Sequence, residues 1–233
     1  MGKKQNERPI PGCKVMSKDG FWNLIAEVKA ACGQDQEKYM DMLKARLKEL
    51  GPKCAKDFHD IVHAYEDLAC KYGLWSAAGL ISYTADDGFI DFRAWLISQG
   101  KKAYYAALKD PDTLADLDSG DGYWFESFTY AGYFALEELT GEDAYASYDK
   151  AAHENIVRAL KADIKYAKWI NYPFMPSETA EYYPRLYEKY MARSEQLRLA
   201  GSAFWNLNNR AIAEARQAGP PPKPENTMEM GGM

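Results

Sequence analysis

Residue types that favour helices dominate this chain, and those that favour strands are scarce. Its 233 residues include 32 Ala and 18 Leu, whereas Val and Thr together number only 10. Ala and Leu are strong helix formers, while β-branched side chains pack best on the pleated surface of a sheet. A buried parallel sheet would also need runs rich in Val and Ile, and the sequence contains none. We therefore predict an all-α protein built as a multi-helix bundle.

Apolar side chains recur every three or four residues along several segments, and Gly or Pro ends these segments. The clearest stripe runs over about 53–72, between Gly51-Pro52 and Gly73. This is the pattern of an amphipathic helix with one face in the core. Residues 74–81 follow and are almost wholly apolar. A segment that is apolar on every side indicates a helix surrounded by neighbours.

The same patterns divide the chain into a core, an extension and two tails. We predict a helical core over 17–141 and a C-terminal helical extension over 142–218. Large aromatic side chains in the extension, such as Trp169, indicate that it packs on the core. Prolines disfavour regular structure, so the tails 1–16 and 219–233 are expected to be disordered.

Charge is unevenly distributed along the chain. The net charge is −5, yet residues 61–149 carry 5 basic and 16 acidic side chains, and the flanks 1–60 and 150–233 are each slightly basic. Phosphate binding needs clustered Lys and Arg, so a uniformly basic nucleic-acid binder is excluded and nucleic acid is not the expected partner. An acidic block attracts cations instead, which favours a basic protein partner. The two basic flanks leave nucleic-acid binding as a third alternative.

The sequence lacks the signals of a membrane or secreted protein. No apolar run approaches the roughly 20 residues of a membrane span, and residues 1–12 lack the apolar stretch of a signal peptide. The four Cys include no C-x-x-C pair, which is typical of reduced thiols in a cytoplasmic protein. We therefore expect a cytoplasmic protein without a membrane partner. No cofactor-binding motif is present, so no cofactor is expected.

One candidate functional site lies at the start of the helix predicted after residue 85, where several charged residues could form the rim of a binding site. It comprises Asp86, Asp87, Asp91 and Arg93, with Glu126 as a distant acid that could join it. Arg93 falls on the apolar side of its helix, where a guanidinium must be paired. In a structural interpretation, Asp87 caps the helix and Arg93 ties Asp86 or Glu126 to the core. In a functional interpretation, the adjacent carboxylates bind a cation or raise one another's pKa.

A second candidate lies on the predicted helix over 53–72. His59, His63 and Glu66 are spaced i, i+4 and i+7, and Cys70 follows at i+11. At 100° per residue, they share one side of the helix, and two His one turn apart can share a zinc or iron ion. However, the stripe lies beside the apolar face, and its spacing differs from H-E-x-x-H. A solvated flank is therefore the alternative to a metal site.

Aromatic side chains are abundant, at 14% of the chain. Tyr and Trp combine rigid apolar area with a polar tip, so they are favoured in interfaces as well as in cores. Packing between helices is one interpretation, and partner recognition is the other. The candidates for a partner interface are Trp75, Trp95, Tyr123 and Trp124.

Several motifs run through the predicted core. They begin at Phe21-Trp22-x-Leu24-Ile25 and continue through Leu74-Trp75-x-Ala77-Ala78 to Asp86-Asp87-x-Phe89-x-x-Phe92-Arg93-x-Trp95-Leu96-Ile97-Ser98-Gln99-Gly100. With these motifs, residues 20–142 resemble the bacterial family known as domain of unknown function 4240. In that family a Ser is common before the two acidic residues, where this chain has Ala85. The resemblance implies a shared fold unit and no particular reaction.

These observations lead to hypotheses from different functional classes. We favour a non-catalytic protein-binding module, of an immunity or regulatory type, whose acidic middle block docks a basic partner. The main alternative is an enzyme or small-ligand binder that uses Asp86, Asp87 and Arg93. No motif nominates a nucleophile or a phosphate-binding loop, so the sequence favours a non-enzymatic role.

Overall fold

The protein is a bundle of helices, as its computed structural model shows. The structure describes residues 8–82, 86–118, 122–174 and 176–191, together with Glu214, Arg216, Gln217 and Gly219. Among these residues the regular structure is helical, apart from an isolated bridge between Pro9 and Ser17. The predicted all-α, multi-helix architecture is confirmed. In chain order, the helices are α1 (Lys18–Cys32), α2 (Gln36–Leu50), α3 (Pro52–Ala69), α4 (Tyr72–Ile81), α5 (Asp86–Ser98), α6 (Lys101–Lys109), a 3-10 helix (Pro111–Asp116), α7 (Glu126–Thr129), α8 (Ala131–Thr140), α9 (Lys150–Lys161), α10 (Pro176–Tyr182), α11 (Pro184–Leu186) and a π-helical turn (Tyr187–Met191).

Capping side chains set the starts of the first helices. Ser17 accepts a hydrogen bond from the Gly20 amide at the start of α1, and Asp35 accepts one from the Lys38 amide at the start of α2. Pro52 lies in the first turn of α3, where its missing amide hydrogen costs little. These starts follow from the local sequence, because capping groups satisfy amides that the helix itself leaves free.

The central helix of the bundle is α3, which contacts α2, α5, α8 and α9. Its side that carries Phe58, Ile61, Val62 and Tyr65 is fully buried, as the periodicity predicts. The Tyr65 hydroxyl accepts a hydrogen bond from Nε1 of Trp22 at 2.9 Å. The polar tips of these buried aromatic side chains are therefore paired, which removes the cost of burying them.

The C-terminal extension packs on the core through hydrogen bonds that each involve at least one main-chain group. The Gly73 amide, in the first turn of α4, donates to the Ile170 carbonyl at 2.7 Å. The buried Tyr183 hydroxyl donates to the Gly73 carbonyl at 2.8 Å. In addition, the buried Asp112 carboxylate accepts hydrogen bonds from two consecutive amides of α11. For the described part of the extension, the predicted packing on the core is confirmed.

The N-terminal segment differs from the predicted disordered tail. Residues 1–7 lie outside the described residues, but residues 8–16 fold against the core, where Ile10 is 2% exposed. The Asp57 carboxylate on α3 accepts hydrogen bonds from the three amides of residues 14–16, at 2.6 to 3.0 Å. Prolines prevent a regular helix in this segment, but they do not prevent an irregular segment from packing.

Other parts of the predicted organisation lie outside the described residues. Residues 192–213 of the extension are among them, and only Gly219 of the predicted tail over 219–233 is described. Within the part of the chain that is described, no helix has the length and apolar character needed to cross a membrane.

Candidate functional site

Acidic side chains of α5 and α7 come together on one surface. Glu126 begins α7, and the amide just before it donates to the Asp91 carbonyl on α5 at 3.2 Å. The first turn of α5 is exposed and carries Asp86 and Asp87. Partial burial, followed by the negative charges of Glu126, Asp87 and Glu66, raises the pKa of Asp91. Several like charges are therefore held within electrostatic reach of one another.

Asp91→Asn should raise the free energy of unfolding by roughly 0.3–0.5 kcal/mol at pH 7, because it removes a partly buried charge that its neighbours also repel. The sign follows from the raised pKa of Asp91. The folded protein binds a proton at the Asp91 carboxylate more readily than the unfolded chain does. The negative charge of Asp91 therefore lowers the free energy of unfolding above the raised pKa, and this cost disappears below it. The gain should therefore shrink as the pH falls through that pKa. Urea unfolding at several pH values measures the effect, with Asp41→Asn on the exposed side of α2 as the control.

The Arg93 guanidinium is paired with main-chain carbonyls, and not with an acid as the structural interpretation of the sequence expected. Its Nη1 donates to the Glu66 carbonyl on α3 at 2.8 Å, and its Nε donates to the Phe89 carbonyl at 3.2 Å. The guanidinium also lies over the Phe89 ring, 5.2 Å from the centroid. The last carbonyls of a helix lack partners and carry partial negative charge. Arg93 therefore stabilises the C-terminal end of α3.

Glu66 links the acidic rim to the His stripe. Its side chain is buried and accepts a hydrogen bond from Oγ1 of Thr129 at 2.5 Å. A second carboxylate oxygen lies 3.1 Å from Nδ1 of His63. The same carboxylate contributes to the raised pKa of Asp91. The two candidate sets are therefore adjacent in space, which their separation along the chain did not indicate, and Thr129 belongs to no sequence motif.

The ring of His59 is buried where α8 and the segment after it pack on α3. His59 is 3% exposed, and its ring centroid lies 4.4 Å from that of His63 and 4.8 Å from that of Tyr145. Its Nδ1 has no hydrogen-bond partner among the residues that the structure describes. Burial, followed by the positive charges of His63 and Lys56, lowers the pKa of His59 to about 3. The ring is therefore uncharged at neutral pH.

The predicted metal ligands are close together, but they do not form a three-ligand centre. In the part of the chain that the structure describes, no group of three or more His, Cys, Asp or Glu side chains could hold a metal ion. Glu66 is engaged by Thr129 and His63, and Cys70 lies exposed at the end of α3. Tyr145, which contacts the His rings, was not predicted, because no motif in the sequence surrounds it.

The four predicted interface aromatics divide into packed and exposed side chains. Trp95 is 1% exposed, and Trp75 stacks on Phe89 with ring centroids 4.9 Å apart. Tyr123 is half-buried and packs edge-on against Trp95. Trp124, by contrast, is 49% exposed. Cores and interfaces use the same residue types, so the sequence could not separate these two groups.

Other exposed apolar side chains lie on α5, on α8 and just after α8, among them Ile90, Phe134 and Tyr145. Ile90 lies on α5, between the acidic side chains of the rim. The ring of Tyr133 contacts the rings of both Phe134 and Tyr145. Sequence patterns did not identify them, because apolar residues within a predicted helix are assigned to its buried side.

Comparison with known proteins gives one family match. The family model described as Protein of unknown function (DUF4240) matches residues 16–147. The matched range contains α1 to α8, and therefore both candidate sets. No curated protein and no solved structure matches the chain.

Proposed function

Because the chain belongs to the DUF4240 family, which is described as of unknown function, we propose a function from the surface of the protein itself. We propose that it is a cytoplasmic, non-catalytic protein-binding module, of an immunity or regulatory type, that docks a basic partner. The observation that carries the proposal is a group of neighbouring carboxylates that form no ion pair with any Lys or Arg of the described residues. The docking surface, here called the acidic face, consists of Asp86, Asp87, Ile90, Asp91, Trp124 and Glu126.

The carboxylates of the acidic face lack the ion pairs that several other surface acids form within the described residues. Among the described residues they form no ion pair, whereas Glu27, Asp116 and Asp163 each pair with a Lys or Arg. Partial burial, together with the negative charges of Glu126, Asp87 and Glu66, raises the pKa of Asp91. A cluster of unpaired acids creates a negative potential that steers a cationic partner and raises its association rate.

Two exposed apolar side chains lie near these carboxylates in the chain, with Ile90 on α5 and Trp124 two residues before Glu126. On α5, Ile90 is one turn from Asp86 and Asp87 is one turn from Asp91, so the four share one side of the helix. Ile90 is 43% exposed and Trp124 is 49% exposed. Buried aromatic and aliphatic side chains provide most of the affinity of an interface, while charges provide rate and specificity. The acidic face offers exposed apolar side chains as well as negative charge.

The position of Arg93 supports the docking role over the enzyme alternative. A catalytic or ligand site built on Asp86, Asp87 and Arg93 needs a guanidinium that faces the ligand. Arg93 instead donates to two main-chain carbonyls and packs over Phe89. These contacts give Arg93 a structural role. A site built on Asp86, Asp87 and Arg93 would then have no guanidinium directed at its ligand, which argues against the enzyme alternative.

Reversing two charges of the acidic face should remove partner binding. We expect Asp87→Lys/Glu126→Lys to weaken the affinity about tenfold or more, because each reversed charge turns attraction into repulsion. The measurement is affinity capture from source-cell lysate, followed by titration of the purified basic partner at low and high salt. The matched control, Glu49→Lys/Glu154→Lys, makes the same change of net charge at exposed residues of α2 and α9.

The wild type and the control should retain one stoichiometric basic protein at low salt and lose it at high salt, since salt screens exposed charges. Circular dichroism establishes that both reversed variants are folded. An affinity that does not change with salt would contradict the docking role of the acidic face. Equal affinities of the two reversed variants would contradict it as well.

A further inference from the structure

Four aromatic rings form a continuous strip on α8 and the segments at its two ends. This surface, here called the aromatic strip, consists of Tyr130, Tyr133, Phe134 and Tyr145. The ring centroid of Phe134 lies 6.1 Å from that of Tyr130 and 5.4 Å from that of Tyr133. The centroids of Tyr133 and Tyr145 are 5.7 Å apart. Phe134 and Tyr145 are exposed and the other two are half-buried, and apolar side chains that are exposed together are typical of an interaction surface.

The aromatic strip is continuous with the acidic face. Tyr130 directly follows α7, the short helix that Glu126 of the acidic face begins. Partial burial is the largest cause of the raised pKa values of Asp91 and Tyr145, and the negative charge of Glu66 adds to both. One carboxylate therefore lies within electrostatic reach of the two surfaces, so a single partner can contact both.

Carboxylates lie beside the rings of the aromatic strip. The Tyr133 hydroxyl donates a hydrogen bond to the exposed Glu137 carboxylate at 3.0 Å. The negative charge of Asp143 also contributes to the raised pKa of Tyr145, after burial and the neighbouring Tyr130 and Glu66. The face of an aromatic ring is itself negative. The rings and the carboxylates therefore favour a ligand of the same sign, a cation.

Elsewhere in this protein, cations already lie over aromatic rings. Nζ of Lys71 lies 5.4 Å from the ring centroid of Tyr166, and the Arg93 guanidinium lies 5.2 Å from that of Phe89. Within the residues that the structure describes, no Lys or Arg lies over a ring of the aromatic strip. The strip therefore lacks the internal cation that these other rings have.

We infer that the basic partner presents an Arg-rich segment, whose guanidinium groups stack on the aromatic strip while the adjacent carboxylates pair with them. This inference rests on the proposed docking role and specifies the class of partner. A guanidinium is planar and weakly hydrated and stacks well on aromatic rings, whereas the ammonium of Lys is compact and strongly hydrated. Carboxylates attract both types of cation, and the rings add a preference for Arg.

Three synthetic peptides test the inference on the full chain. They alternate Gly with Arg, with Lys, or with citrulline, whose side chain has nearly the shape of Arg without its charge. Fluorescence anisotropy measures their affinities. We expect the Arg peptide to bind about fivefold more tightly than the Lys peptide, because only its guanidinium groups stack well. The citrulline peptide should bind roughly tenfold or more weakly than the Arg peptide, because the carboxylates no longer attract it.

Phe134→Leu/Tyr145→Leu removes two aromatic rings while it retains apolar side chains. The preference for the Arg peptide over the Lys peptide should fall to less than about twofold. The matched control, Leu139→Ala, changes a 40% exposed side chain of α8 that lies about 140° around the helix from Phe134. This control should keep the preference of the wild type. Circular dichroism establishes that both variants are folded.

NMR of the Arg peptide tests the stacking without a substitution in the protein. A proton above an aromatic ring is shifted upfield by the ring current. Binding to the wild type should therefore shift the CH₂ protons next to the guanidinium upfield, and those next to the ammonium of the Lys peptide much less. Equal shifts for the two peptides would overturn the inference.

The remaining outcomes distinguish this inference from the docking role. Equal affinities of the Arg and Lys peptides, or a preference that survives Phe134→Leu/Tyr145→Leu, would overturn the inference and leave the docking role intact. An Arg peptide that binds no better than the citrulline peptide would overturn it too, because the strip would then take an uncharged ligand. Asp87→Lys/Glu126→Lys should weaken binding of the Arg peptide about tenfold or more. Unchanged binding by that variant would contradict the docking role and the inference with it.

Discussion

Replacing Asp57 by alanine should lower the free energy of unfolding by about 3 kcal/mol. The Asp57 carboxylate is 2% exposed and accepts hydrogen bonds from the amides of residues 14–16. Hydrogen bonds to a charged group contribute roughly 1.5–3 kcal/mol each, and they are not additive. Without the carboxylate, three amides lose their partner and residues 8–16 lose their anchor on α3. Urea unfolding measures the loss, and the melting temperature should fall by roughly 6–12 °C.

Two further variants separate the causes of this effect. Asp57→Asn keeps one acceptor oxygen but turns an NH₂ group toward amide donors, so we expect an intermediate loss of about 1–2 kcal/mol. Asp41→Ala changes an exposed acid of α2 and should alter stability by less than about 0.5 kcal/mol. If Asp57→Ala were as stable as Asp41→Ala, residues 8–16 would not depend on the Asp57 carboxylate.

Gly132→Ala should lower the free energy of unfolding by about 2 kcal/mol or more, although Ala is normally the better helix former. Helix α8 lies against α3 at this glycine. An added Cβ would lie 2.7 Å from the Ala55 carbonyl oxygen and 2.7 Å from the His59 amide nitrogen. Both are backbone atoms of the central helix, so the contact is relieved only if the two helices separate. Close-packed interiors resist such a shift.

Leu139→Ala is the control for this prediction, because Leu139 lies on α8 and is 40% exposed. It should cost less than about 1 kcal/mol, since little apolar area is removed from the core. Urea unfolding compares the two variants with the wild type. A Gly132→Ala protein as stable as Leu139→Ala would mean that α3 and α8 do not approach each other as closely as the structure shows.

Asp57 and Asp91 show that the same residue type has opposite energetic roles in this protein. The Asp57 carboxylate is buried, and donors surround it, so its charge stabilises the fold. Asp91 lies among other acids, and its raised pKa records a cost to the folded state. Stability alone gives no reason to keep this second arrangement. The docking role proposed above would give the acidic face a reason that stability does not.

The elements that could be predicted from the sequence depend on local signals. Ser17 and Asp35 cap α1 and α2 as their residue types suggest. The stripe over 53–72 corresponds to α3 and faces the core. The family resemblance over 20–142 agrees with the matched range 16–147. Each of these signals is contained within a few helical turns or in contiguous motifs, so it can be recognised without the rest of the molecule.

The candidate site could be predicted only in its parts. The acids of α5 and the His pair of α3 were identified separately, and the structure shows that Glu66 lies between them. Thr129 and Tyr145 complete these contacts and belong to no motif. Spacing rules report neighbours on one helix, whereas these contacts join helices that are distant in sequence.

The sequence by itself determined that the chain is helical, where its first helices begin, which family it belongs to and where its charge is concentrated. Only the tertiary structure decided that Trp124 is exposed while Trp95 is buried. It also decided that Arg93 binds carbonyls of the main chain, and that Asp57 anchors residues 8–16. The physical reason is that helix formation depends on interactions within a turn, while burial and pairing depend on which distant elements pack together.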